Sequence, residues 1–225
     1  MNEDFPLNIR FALGLFAASI GLASPAKAGD EDLEIWLNPR VEWGLDEDTS
    51  IELETGQRFR DADRGREDTY YFRLWLNQNV ADNVEISGGV ERGFNRPGRD
   101  ELRFLEQVQT KHGIVRTRLR LEQRFSDGRG GRMGLRLRPR LGVSVPLNEE
   151  KTWDFGTNVE LFWTLRGTSP TSDTGLTRIR TQIGVGHDLS DNVEVSLNYL
   201  FQKDIEENAP DRIAHVPLIG LKYSF

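Results

Sequence analysis

Residues 115–125 read VRTRLRLEQRF. Arg116, Arg118, Arg120 and Arg124 share one parity with Glu122, while Thr117, Leu119 and Leu121 take the other. Successive side chains of a strand point to opposite faces, so this spacing describes a strand with one charged and one apolar face. Residues 132–145, RMGLRLRPRLGVSV, repeat the pattern with Arg132, Arg136, Arg138 and Arg140 against Leu135, Leu137, Leu141 and Val143. Eight guanidinium groups in two neighbouring strands need a setting that tolerates them.

A nucleic-acid surface is not that setting. The 225 residues hold 36 acidic against 29 basic side chains, a formal charge of −7, and duplex binding needs a net basic footprint. Of the basic residues 24 are Arg and 5 are Lys. That bias suits planar, two-pronged pairing with carboxylates. Cysteine is absent, which excludes disulfides and thiol catalysis.

Residues 11–22 (FALGLFAASIGL) form an apolar run too short to span a bilayer as a helix. Ser24-Pro25 and the small-x-small triplet Ala26-Lys27-Ala28 follow it. Residues 1–28 are therefore expected to be a signal peptide and 29–225 an exported domain, although Glu3 and Asp4 offset Arg10 ahead of the apolar run.

Alternation dominates the rest. Trp153, Phe155, Thr157, Val159, Leu161, Trp163 and Leu165 oppose Asp154, Gly156, Asn158, Glu160, Thr164 and Arg166, with Phe162 as the exception. Eleven such segments are expected, near 33–45, 50–60, 69–80, 83–93, 101–110, 113–125, 132–145, 153–166, 175–189, 193–204 and 212–225. Short polar turns (46–49, 81–83, 111–113, 148–151, 190–192) alternate with longer loops starting at Asp61, Phe94, Ser126, Gly167 and Ile205. This is the pattern of an antiparallel up-and-down transmembrane β-barrel of 10–12 strands, with short periplasmic turns and longer external loops. The related openings DNVEIS at 82–87 and DNVEVS at 191–196 reflect shared turn chemistry, because no longer repeat supports them.

Energetics assign the faces. Eight arginines in lipid, at about 2–4 kcal/mol each, would cost roughly 16–32 kcal/mol, above the 5–15 kcal/mol stability of a domain. In a membrane barrel they must line the lumen; in a soluble lipocalin-like periplasmic barrel they would face water. Trp153 and Trp163 lie ten residues apart on one face. At roughly 3.3 Å per residue and a tilt near 40° that is about 25 Å, the height of an apolar band edged by aromatic girdles. Tyr223 and Phe225 extend the girdle, and an alternating strand ending in Phe suits recognition by the barrel-assembly machinery.

Three features stand against a regular barrel. Eleven is an odd number of strands, so the segment broken at Pro39 is expected not to be an ordinary wall strand, or one strand has escaped notice. Pro139 should distort its strand, and Glu106 on the apolar parity points to a register shift nearby.

RTRLRLEQRF at 116–125, the R-x-R-x-R run at 136–140, Pro146-Leu147, RIRTQIGVG from Arg178, Tyr199, His215 and Phe225 together resemble one family. It is an uncharacterised family of outer-membrane barrels, domain of unknown function twenty-four-ninety. The resemblance implies an outer-membrane β-barrel and no assigned activity.

A catalytic barrel acting on lipid or lipopolysaccharide needs a nucleophile, a base and an orienting group in reach of one another. His112 falls in a short turn, His187 on the apolar parity, and His215 near the opposite end, so no enzyme activity is expected. The acids at 46–48 and 206–207 lack the spacing of a calcium loop, and no metal or cofactor is expected. The expected site is a charge network in the lumen: Arg116, Arg118, Arg120, Glu122, Arg124, Arg132, Arg136, Arg138, Arg140, Glu160, Arg178 and Arg180. Two roles compete, an ion-paired plug and a net positive wall that attracts a small anion as filter or ligand. Arg64, Arg66, Arg96, Arg99 and Arg129 in the longer loops could meet lipopolysaccharide phosphates.

Overall fold

The computed structural model describes residues 30–60, 68–95, 100–127 and 131–225. The expected signal peptide and Arg64, Arg66, Arg96, Arg99 and Arg129 fall outside them. The described residues form twelve strands: β1 Asp30–Leu33, β2 Ile35–Gly44, β3 Thr49–Phe59, β4 Thr69–Ala81, β5 Val84–Asn95, β6 Glu101–His112, β7 Val115–Ser126, β8 Gly134–Pro146, β9 Trp153–Arg166, β10 Gly175–Ser190, β11 Val193–Asp204 and β12 Arg212–Ser224. From β2 to β12 each strand pairs antiparallel with the next, and β12 pairs back to β2 to close the barrel.

That closure is parallel, with Leu218 opposite Trp36 and Ser224 opposite Glu42. β1 continues the same seam, with Asp30 opposite Arg212 and Leu33 opposite His215. The Glu34 amide between them still donates to the His215 carbonyl at 3.0 Å, so β1 and β2 form one wall stave. The wall therefore has eleven staves. Each hairpin reverses the chain, so in an odd-numbered meander the last stave must run alongside the first. The odd strand count is real, and parallel closure resolves it.

The three irregularities resolve locally. Pro39 sits in an ordinary wall strand opposite Leu221. Proline brings no N–H to the ladder, and the Asn38 side chain bonds across to β3, donating to the Thr55 carbonyl at 2.8 Å. Around Pro139 the β8–β9 ladder steps from Leu137–Trp163 to Arg140–Glu160 with register intact; the shift lies at Leu135/Arg136 instead. Near Glu106 there is no shift. It stands opposite Gly88 and Leu121 in unbroken ladders and points outward, exposed.

The barrel is apolar outside and polar inside. Leu74, Leu119, Leu141, Trp163 and Leu197 are exposed, while Glu122, Glu91, Arg120 and Arg138 are buried. Apolar side chains enter the bore along the seam, where Trp36, Leu200, Ala214 and Val216 pack together, and singly at Trp75, Leu105 and Phe162. Two glycines make room for inward aromatics. A Cβ on Gly56 would stand 2.0 Å from the Tyr71 ring, and one on Gly89 would stand 2.5 Å from Trp75.

Candidate functional site: the charge lattice of the bore

Strand pleating aims β7 and β8 arginines into the bore, where carboxylates from neighbouring strands meet them. Glu122 Oε2 accepts Arg136 Nε at 2.8 Å, and its Oε1 accepts Arg138 Nη1 at 2.6 Å. Arg138 turns Nη2 to Glu160 at 2.8 Å, and Glu160 also pairs with Arg118. A second chain of pairs runs from Glu54 through Arg73, Glu91, Arg103 and Glu101 to Arg124. Arg178 pairs with Asp204. Shared carboxylates supply the compensation that buried guanidinium groups require.

Aromatic rings brace the lattice. Phe162, the exception on the polar face of β9, is 1% exposed. The guanidinium carbons of Arg138, Arg180, Arg136 and Arg178 lie 4.1, 4.7, 5.1 and 5.4 Å from its ring centre. Trp75 takes Arg120 at 4.8 Å, and Trp36 takes Arg58 at 4.2 Å and Arg180 at 4.9 Å. Desolvated cation–π contacts of this kind are worth about 2 kcal/mol each.

Among the described residues the lattice leaves four bore arginines without a carboxylate partner. Arg120 donates only to Gln107 Oε1, at 3.0 and 2.8 Å. Arg140 reaches Gln109 at 3.5 Å, and Arg180 donates Nε to Gln202 at 2.8 Å. The Arg58 side chain makes no hydrogen bond among the described residues, and its Nε is buried. All four line a cavity of about 590 Å³ that extends from Lys222 and Glu42 at one end of the bore to Arg124 at the other. Fourteen cationic side chains line this space against six carboxylates, so its wall is net positive among the described residues.

A chain with this barrel and this arginine pattern matches one family model over residues 33–213, that of Protein of unknown function (DUF2490). The chain belongs to DUF2490. No curated protein matches it.

Within this DUF2490 barrel, ten of the twelve expected network residues meet in the bore: Arg118, Arg120, Glu122, Arg124, Arg136, Arg138, Arg140, Glu160, Arg178 and Arg180. Arg132 does not. It precedes β8, is exposed, and donates to the carbonyls of Gly167 and Ser169, because the strand starts two residues later than expected. Arg116 sits at the β7 end and donates to the carbonyls of Gly113 and Val115. The positive excess is also redistributed. Arg118, Arg124, Arg136 and Arg138 are neutralised, whereas Arg58 on β3 and Arg180 on β10 join Arg120 and Arg140 as uncompensated. Trp36, Trp75 and Tyr71 went unnoticed as lumen residues; their inward parity in β2 and β4 was the available signal.

Trp153, Trp163, Tyr223 and Phe225, expected to form an aromatic girdle, all face outward and are exposed. Trp43 joins them, stacked on Phe225 with ring centres 5.8 Å apart. At the other end of the wall an unforeseen set includes Phe59, Tyr70 and Phe125 beside Trp163. The histidines stay apart: His112 contacts Asn83, His187 stacks on Trp153, and His215 bonds Tyr199 Oη at 2.6 Å. Among the described residues no group of His, Asp and Glu is placed to hold a metal ion.

Proposed function

We propose that this chain is an outer-membrane β-barrel whose narrow, arginine-rich lumen is braced by ion pairs and is weakly anion-selective. The inside-out distribution carries this reading: large apolar side chains are exposed around the wall while carboxylates and guanidinium groups are buried within it. A soluble barrel needs an apolar interior, and a contiguous apolar exterior of this extent is a liability in water. Lipid outside and water or ions inside reverse both penalties. The two outer aromatic levels fit girdles at two interfaces.

The connections add orientation. At the end holding Phe225, β2–β3, β4–β5, β6–β7, β8–β9 and β10–β11 are separated by four, two, two, six and two residues; at the other end β3–β4, β5–β6, β7–β8, β9–β10 and β11–β12 are separated by nine, five, seven, eight and seven. Short turns on the periplasmic side and longer loops outside follow the usual barrel arrangement, which leaves the loops toward lipopolysaccharide and the last strand toward the assembly machinery. The proposed role is not catalytic, since the histidines lie apart on the outer wall and in a turn.

The test is single-channel conductance of refolded protein in a planar bilayer under a tenfold salt gradient. An anion-selective step is expected. Replacing Arg120 and Arg140 together by Gln should lower the anion preference without breaking any ion pair of the lattice. Silence from barrels shown to be folded by heat-modifiable mobility removes the conducting reading.

A further inference from the structure

We propose that the half of the bore away from Phe225 is a binding site for a small organic monoanion. The ligand is a carboxylate with a short apolar body, held between Arg58 and Arg180. The site rests on the anion-attracting lumen proposed above and adds a resident ligand class to it.

The two guanidinium groups come from separate strands, β3 and β10, and converge on the Trp36 ring at 4.2 and 4.9 Å. Among the described residues neither has a carboxylate within salt-bridge distance, unlike Arg73, Arg103, Arg138 and Arg178 in the same bore. The Arg58 side chain donates no hydrogen bond among the described residues, and its Nε is buried. Arg180 is only 9% exposed and has given only Nε, to Gln202, leaving both terminal nitrogens to face the cavity. A buried cation without a counter-charge is expensive, and a guanidinium fork matches a carboxylate two-pronged. A bound carboxylate would supply what the protein lacks at this point.

The apolar body follows from the wall. Trp36, Phe162, Leu200 and Leu218 line the cavity on this side, backed by Ala214 and Val216, whereas Trp75 stands among arginines, carboxylates and amides elsewhere on its wall. An inorganic anion has no use for such a surface. The nearby carboxylates are already engaged: Glu34 accepts Trp36 Nε1 at 2.6 Å and pairs with Arg60 at 3.2 Å, and Asp204 pairs with Arg178. A single ligand carboxylate would therefore meet Arg58 and Arg180 without competition from them. The whole bore cavity holds about 590 Å³, so one half of it has room for a ligand with a short body, small-molecule pockets running to roughly 300–1,000 Å³.

The experiment is calorimetric titration of the refolded, heat-modifiable full chain in a zwitterionic detergent. Sodium hexanoate is the probe, with hexanol and inorganic phosphate as controls and detergent alone as blank. Hexanoate should bind, phosphate at least tenfold more weakly, and hexanol not at all. Arg58→Gln or Arg180→Gln should weaken hexanoate at least tenfold, about 1.4 kcal/mol. Arg180→Lys, keeping charge without the fork, should fall between, and Arg132→Gln should match the parent. The site is overturned if folded parent does not bind hexanoate, if both Gln variants bind it as the parent does, or if hexanol or phosphate binds equally well. Conductance on the same preparations separates the two proposals. A silent barrel that binds hexanoate removes the pore and keeps the site; a conducting barrel indifferent to hexanoate does the reverse.

Discussion

Arg138 stands between two buried carboxylates, giving Nη1 to Glu122 at 2.6 Å and Nη2 to Glu160 at 2.8 Å. Glu122 has no exposed surface and holds Arg136 as well. Glu122→Gln keeps the shape but leaves two guanidinium groups short of a counter-charge. A loss of about 3–5 kcal/mol is expected, read as a lower urea midpoint for the heat-modifiable form. A loss below 1 kcal/mol would mean that the lattice contributes little to holding the bore.

Glu106 points outward near the middle of β6, among Phe104, Val108, Leu119 and Leu121. If the wall faces lipid, Glu106→Leu should stabilise the protein in vesicles by about 1 kcal/mol, since a carboxylate near the midplane is unfavourable. On a water-facing wall the same change should be neutral or promote aggregation. The urea midpoint in vesicles tells the two apart.

Gly56 yields its space to Tyr71, whose ring would stand 2.0 Å from an added Cβ. Gly56→Ala should cost about 1–3 kcal/mol through overpacking. Adding Tyr71→Ala should make the double variant less unstable than the two single losses combined predict. Simple additivity would show that the clash is relieved elsewhere.

Parallel closure puts the start of β1 at the end opposite Phe225. With short turns on the periplasmic side, an epitope inserted before Asp30 should be reached by antibody on intact cells. One appended after Phe225 should be reached only after permeabilisation. The opposite pattern would invert the proposed orientation, and labelling of both on intact cells would exclude it.

Alternation of the kind seen in residues 115–125 and 153–166 was sufficient to show strands and their charged and apolar faces, because strand period is a local property of the backbone. The family pattern was legible for the same reason: it lies in short runs such as RTRLRLEQRF. Pairing was not local. Which carboxylate meets which arginine depends on stagger between strands and on contacts across the bore. Thus Arg118 reaches Glu160 from 42 positions away, while Arg120, two residues along the same face, finds only an amide. Arg132 left the network because strand ends are set by the loop they meet. The odd stave count was visible in the sequence as an anomaly. Only closure of the sheet gave it meaning, since the direction of the final pairing is a property of the whole ring.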